Sequence, residues 1–209
     1  MTGFDFVFAL FSLVLGLAVA EVLGGFANVM KLHAAARAGK ARDVRVGWLV
    51  PLLGVLVTTN QLSFWIFAYG VRETLPFSYI TLLGVLVVVG AYYLFSALIF
   101  PDDPADWPDF DLWYDQNNRF ILGGLFAINL VMHIVSARYR PPPTAAQLAQ
   151  RAAMGDVVWL LVAGAFIELL VLVVLVFVKG RRLNAALLAT ATFLTVAMAG
   201  IAAAYGGFT

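Results

Sequence analysis

The sequence predicts an all-α fold, a polytopic membrane protein with six transmembrane helices in one bundle. Three observations carry that prediction. The first is composition: 63% of the 209 residues are hydrophobic and only 12% are charged, about half the charged share of a soluble domain. The second is the length of the apolar runs, at about 4–30, 48–70, 77–100, 119–138, 156–178 and 184–207. Each is close to the roughly 20 residues that cross a bilayer as a helix. The third is continuity, because the runs are apolar throughout rather than alternating, which excludes a membrane β-barrel. No internal repeat relates the halves, and residues 1–209 read as a single transmembrane domain.

The first run holds Gly16-Leu-Ala-Val-Ala-Glu21-Val-Leu-Gly24-Gly25-Phe-Ala-Asn28. It has no basic leader, carries Asp5 and is too long for the core of a cleaved signal. Glu21 falls about 6 Å from the midplane at 1.5 Å per residue. An acid there costs about 2.5–3.5 kcal/mol on insertion scales. On a helix wheel Ala18, Glu21, Gly25 and Asn28 share a face, with Gly24 beside it and Ser12, Gly16 and Ala20 on the neighbouring arc. Such small residues let another helix approach closely. Glu21 then serves either as a carboxyl hydrogen-bonded to a packing neighbour or as a group on a proton or ion path.

Loop charges set the orientation. Loop 31–47 carries Lys31, Arg37, Lys40, Arg42 and Arg45, and loop 179–183 carries Lys179, Arg181 and Arg182. With Arg119 these make nine basic residues on one side, against Arg72, Arg138, Arg140 and Arg151 on the other. The positive-inside rule places the nine in the cytoplasm and both termini outside it. The membrane is then the plasma (inner) membrane. Trp48 at one boundary and Trp65, Tyr69, Tyr79, Tyr139, Trp159 and Tyr205 at the other form interfacial belts.

Helix 2 carries Thr58-Thr59-Asn60-Gln61 at its middle, where unpaired amides are costly. Helix 3 is structural, with Gly84 and Gly90 as packing points and Pro101 at its end. The next loop has six aspartates between Pro101 and Asp115. A calcium loop counted from Asp109 would need Gly and Glu where Tyr114 and Phe120 stand, so helix capping by Asp109 or Asp111 is the better reading. Phe4-Asp-Phe-Val, Gly16-Leu-Ala-Val-Ala-Glu21, Phe64-Trp65, Phe100-Pro-Asp-Asp103, Asp111-Leu-Trp-Tyr114 and Arg119-Phe120 resemble a group of small bacterial membrane proteins of unassigned function. The resemblance covers roughly residues 1–125. In that group paired arginines tend to precede the fourth helix, where this chain has Asn118-Arg119. The resemblance implies the six-helix architecture and no activity, cofactor or catalytic residue.

Helix 4 places Asn129 and His133 one turn apart on one face. The other histidine, His33, lies in the opposite loop, so a bis-histidine haem or a His-rich metal site is not expected. After Pro141-Pro-Pro143, Thr144-Ala-Ala-Gln147 is a capping-box pattern that starts a short surface helix over about 145–154. Gly155 ends it and Asp156 is expected to cap the next helix. Glu168 stands at the centre of helix 5 in an otherwise apolar run, and helix 6 carries Thr190, Thr192 and Thr195.

Glu21, Asn60, Gln61, Asn129, His133 and Glu168 all fall within about two turns of the midplane. Together they suggest a small proton- or cation-conducting or coupled transport protein in which both glutamates face a common polar interior. The alternative is a non-catalytic scaffold or accessory subunit of a larger membrane complex, or a homo-oligomer. Zero cysteines exclude disulfides and thiolate metal sites. No hydrolytic triad, zinc motif or phosphate loop appears. The chain is therefore expected to be no enzyme, to need no cofactor or metal, and to bind lipid rather than nucleic acid.

Overall fold

The computed structural model describes residues 3–39, 44–139 and 142–204. Lys40, Arg42, Arg140 and Tyr205, used above for orientation and belts, lie outside them. Helices α1 (Gly3–Arg37), α2 (Leu49–Gly70), α3 (Tyr79–Ile99), α4 (Phe110–Tyr139), α5 (Ala145–Met154), α6 (Val157–Phe177) and α7 (Arg181–Ala204) follow in order. All but α5 are long and apolar enough to cross a membrane. A 3-10 turn, Pro104–Asp106, precedes α4.

The apolar runs become helices because lipid offers backbone groups no partners. Helix α2 is the central one: it packs against α7, α4, α1 and α3, and half of its span is buried. Helix α1 lies at the edge, mainly against α3. In lipid such contacts depend on close packing rather than on exclusion of water. Three glycines make the closest ones. A side chain on Gly25 would collide with Phe100, one on Gly124 with Phe95, and one on Gly164 with Met198. Gly84 and Gly90 do not make the close contacts expected of them: a side chain at either would meet open space.

The boundaries differ from expectation in two places. Helix α1 continues to Arg37, beyond the apolar run, because its last turns leave the membrane without a breaker until Gly39. Helix α4 begins at Phe110, nine residues before the apolar run at 119, capped by Asp109, whose Oδ1 accepts from the Asp111 N–H at 2.9 Å. Helix α5 forms where the capping box places it, with Thr144 Oγ1 accepting from the Gln147 N–H and Gln147 Oε1 accepting from the Thr144 N–H. Gly155 ends it with φ at 49°, a value that favours glycine. Asp156 does not cap α6 through its side chain. It already has helical φ and ψ, and a capping carboxylate needs an extended residue to reach the next turn.

The loops before α2 (loop 1, over 44–48), before α4 (loop 3, 100–109) and before α7 (loop 5, 178–180) meet at one end of the bundle. Arg45 N donates to Pro108 O and Phe110 N to Arg45 O, a short parallel bridge that ties loop 1 to the start of α4. Trp48 lies exposed at this end, and Tyr79 and Trp159 lie exposed at the other, as interfacial belts require.

Candidate functional site

The polar residues of α2 are distributed around the helix, and Gln61 and Asn60 reach different neighbouring helices. Gln61 Nε2 donates to Ser96 Oγ on α3 at 2.8 Å. Asn60 Oδ1 accepts from Asn129 Nδ2 on α4 at 2.7 Å, while Asn60 Nδ2 donates back to Leu56 O. Tyr92 of α3 donates to Asn60 O at 3.2 Å. Thr58 and Thr59 bond their own helix, at Gly54 O and Leu56 O. His133 Nδ1 lies 2.8 Å from Asn129 O, and the residue is partly open to the surroundings. The result is a hydrogen-bonded seam across α2, α3 and α4, with Asn60, Gln61, Tyr92, Ser96 and Asn129 buried.

Glu168 is also buried, and Thr195 Oγ1 on α7 lies 2.7 Å from its Oε1. Thr195 Oγ1 is also 3.0 Å from Ala191 O. A hydroxyl has one hydrogen to give. Both contacts are met together when the carboxyl donates to Oγ1 and the hydroxyl donates to the carbonyl. Glu168 lies within electrostatic reach of Tyr92 and His133, which places it beside the seam.

Glu21 does not join this group. It is exposed on the outward face of α1, as are Gly16, Leu17, Ala20, Gly24 and Asn28. The face read from the sequence is split: Ala18 turns in, Gly25 is half-buried against Phe100, and Glu21, Gly24 and Asn28 turn out. The two glutamates therefore share no interior. The reason is the edge position of α1, which buries a face shifted by one residue, with Val22 and Val29 turned inward beside Ala18. Neither Glu21 nor Asn28 has a hydrogen bond or ion pair among the described residues.

No protein-family model, curated protein or solved structure matches this chain.

A second polar assembly, at the end formed by loops 1, 3 and 5, was only partly visible in the sequence. Arg181 Nη1 is 3.1 Å from Asp109 Oδ2 and 3.7 Å from Asp111 Oδ2, and its Nη2 is 3.0 Å from Asp115 Oδ2. Arg45 reaches Asp109 at 3.9 Å. Asn184 Nδ2 donates to Val178 O and Gly180 O, and its Oδ1 accepts from Tyr114, which closes loop 5 onto α4. Asp111 is buried with Oδ1 unpartnered, and that oxygen fills the space a side chain on Gly47 would need. Trp107 and Trp113 stack edge to face at 5.0 Å, and Trp113 Nε1 donates to Leu98 O. The aspartates after Trp107 are thus spent on internal ties, while Asp102, Asp103 and Asp106 remain exposed.

A cavity of about 250 Å³ opens between α1, α2, α3 and α4 in the half of the bundle that contains the loop 71–78 between α2 and α3. Its walls include Phe11, Phe64, Val85 and Met132. It includes none of the six polar residues selected from the sequence, and its walls suit hydrocarbon rather than ions.

Proposed function

We propose that the protein is a non-catalytic membrane scaffold or accessory subunit that assembles with other membrane protein through the outward face of α1. One observation carries this reading. Glu168 has its hydrogen-bond partner within the chain, whereas Glu21 is presented to lipid beside small residues. An ionisable group in lipid is retained when a partner satisfies it, and small residues are what a partner helix packs against. The half-buried tryptophans of the acidic loop make that loop a brace within the bundle rather than the docking surface. The basic-residue count favours the plasma (inner) membrane with both termini outside the cytoplasm. The resemblance of residues 1–125 to small bacterial membrane proteins agrees with that setting.

A second reading, proton or cation conduction or coupled transport, is favoured by the Asn60–Asn129–His133 chain with Glu168 beside it. Its weakness is chemical: amides hold a hydrogen bond but do not titrate, so they do not hand a proton onward. Purified protein in liposomes under a pH or cation gradient separates the two readings. The scaffold reading predicts leakage equal to that of empty vesicles at acidic and neutral pH. A flux that Glu168→Gln abolishes would contradict it and establish the second reading.

A further inference from the structure

We propose that the cavity between α1, α2, α3 and α4 holds one acyl chain of a phospholipid, with the phosphate at the end of the bundle where Arg138 stands. The proposal is independent of the assembly role given above. Position and depth carry it. The cavity begins at Val71, Phe77 and Tyr139, beside the loop 71–78, and reaches inward to Leu15, Phe64 and Val89. Along α3 its wall runs from Ile80 to Val89, about 14 Å at 1.5 Å per residue. That is close to the depth of one leaflet, about 15 Å. Phe64, Val89 and Met132 lie one turn from Asn60, Tyr92 and Asn129, so the cavity stops at the polar seam. The Phe64 and Tyr92 rings, 5.6 Å apart, close that end. Trp65, Phe77 and Ile80 line the cavity and are also exposed on the side of the bundle, so it is open to the bilayer.

The chemistry of the walls selects the occupant. Water enters a cavity where polar partners await it, and the polar groups here already bond one another. Trp65 Nε1 donates to Ser12 Oγ at 2.9 Å, Ser12 Oγ donates to Phe8 O at 2.7 Å, and Thr81 Oγ1 lies 3.0 Å from Ser78 Oγ. Left empty, the apolar walls would forfeit their dispersion contacts. An apolar cavity of about 150 Å³ already takes up a benzene-sized guest, and this one is larger. A helix, about 10–12 Å across with its side chains, is too wide to enter, whereas a single hydrocarbon chain is not. Charge marks the headgroup end. Tyr139 lines the cavity, and the Arg138 guanidinium stands 5.5 Å from the centre of its ring. Arg72, next to Val71, is held by Tyr69 O and Glu73. Arg138 is exposed with no ion pair among the described residues, and so offers a free fork to a phosphate at the interface.

The test uses the full chain in vesicles of phosphatidylcholine and phosphatidylglycerol, with a small share of phospholipid that carries a photoreactive group at the middle of one acyl chain. Irradiation should label Phe64 and Met132 on the inner walls as well as Leu170, exposed on α6. Gly84 lines the cavity, and a side chain there meets nothing within the chain, so Gly84→Leu fills the space and spares the fold. It should abolish labelling of Phe64 and Met132 and leave that of Leu170 unchanged. Native mass spectrometry of the purified protein should show one retained phospholipid. Arg138→Gln should lower that retention about fivefold, the worth of one basic group at a membrane surface. Labelling of Leu170 without Phe64 and Met132, or labelling of those two that Gly84→Leu leaves unchanged, would overturn the proposal. Retention unchanged by Arg138→Gln, or a fatty acid bound in place of a phospholipid, would overturn the headgroup assignment.

Discussion

Arg181 sits at the first position of α7, where the helix dipole favours an anion over a cation. Its guanidinium nevertheless belongs there, because it reaches Asp109, Asp111 and Asp115 with its two terminal nitrogens. Arg181→Ala would leave the buried Asp111 without its counter-charge. The cluster is partly wet, so the loss is about 1–3 kcal/mol rather than the larger cost of a fully buried pair. Thermal unfolding in detergent should show a clear drop in Tm. Arg181→Lys should recover only part of it, since one ammonium cannot serve three carboxylates as a planar fork does. The same assay applies to Glu168. Glu168→Gln should unfold at the parent temperature, because its amide can donate to Thr195 in place of the carboxyl. Glu168→Leu should lose about 0.5–2 kcal/mol, the range found for such bonds between membrane helices. The sequence showed Asp109 or Asp111 as a helix cap in a loop rich in aspartate. It did not show Arg181 as their partner, because ion pairs spanning up to 72 residues leave no local spacing to read.

At the scale of elements, most of the architecture was legible because lipid leaves a spanning chain few choices. The six apolar runs, the capping box before α5 and Gly155 after it all translate directly into helices. What the sequence did not show was which face each helix buries. Helix α1 reads as apolar nearly all round, so its wheel alone could not show that Val22 and Val29 turn inward and Glu21 outward. The polar run of α2 was legible as important, but its partners Ser96 and Tyr92 carry no signal within an apolar helix. Helix α5 offers a local test. It packs only lightly on α6, so the Thr144 cap supplies much of its order. Thr144→Ala should cost that helix about 1 kcal/mol. Amide hydrogen exchange over Ala145–Met154 should then rise about fivefold, with Tm unchanged.

At the scale of the whole molecule, α2 binds the bundle together and α1 stands at its edge with one face unpaired. Loops 1, 3 and 5 share an end and are tied by arginine–aspartate pairs, which concentrates the basic residues there. That end should face the cytoplasm. A reporter fused after Thr209 should accordingly be active only if it functions outside the cytoplasm, and cytoplasmic activity would reverse the orientation. The central claim is that α1, rather than any other lipid-facing helix, carries the protein's contacts. Its most direct measurement places a photo-crosslinking residue at Leu17 on α1 or at Leu170 on α6, which are 55% and 62% exposed in the single chain, and irradiates intact membranes. Protein adducts of discrete mass from Leu17, with lipid adducts alone from Leu170, are the predicted result. Lipid adducts alone from both positions, or equal protein capture from both, would contradict it.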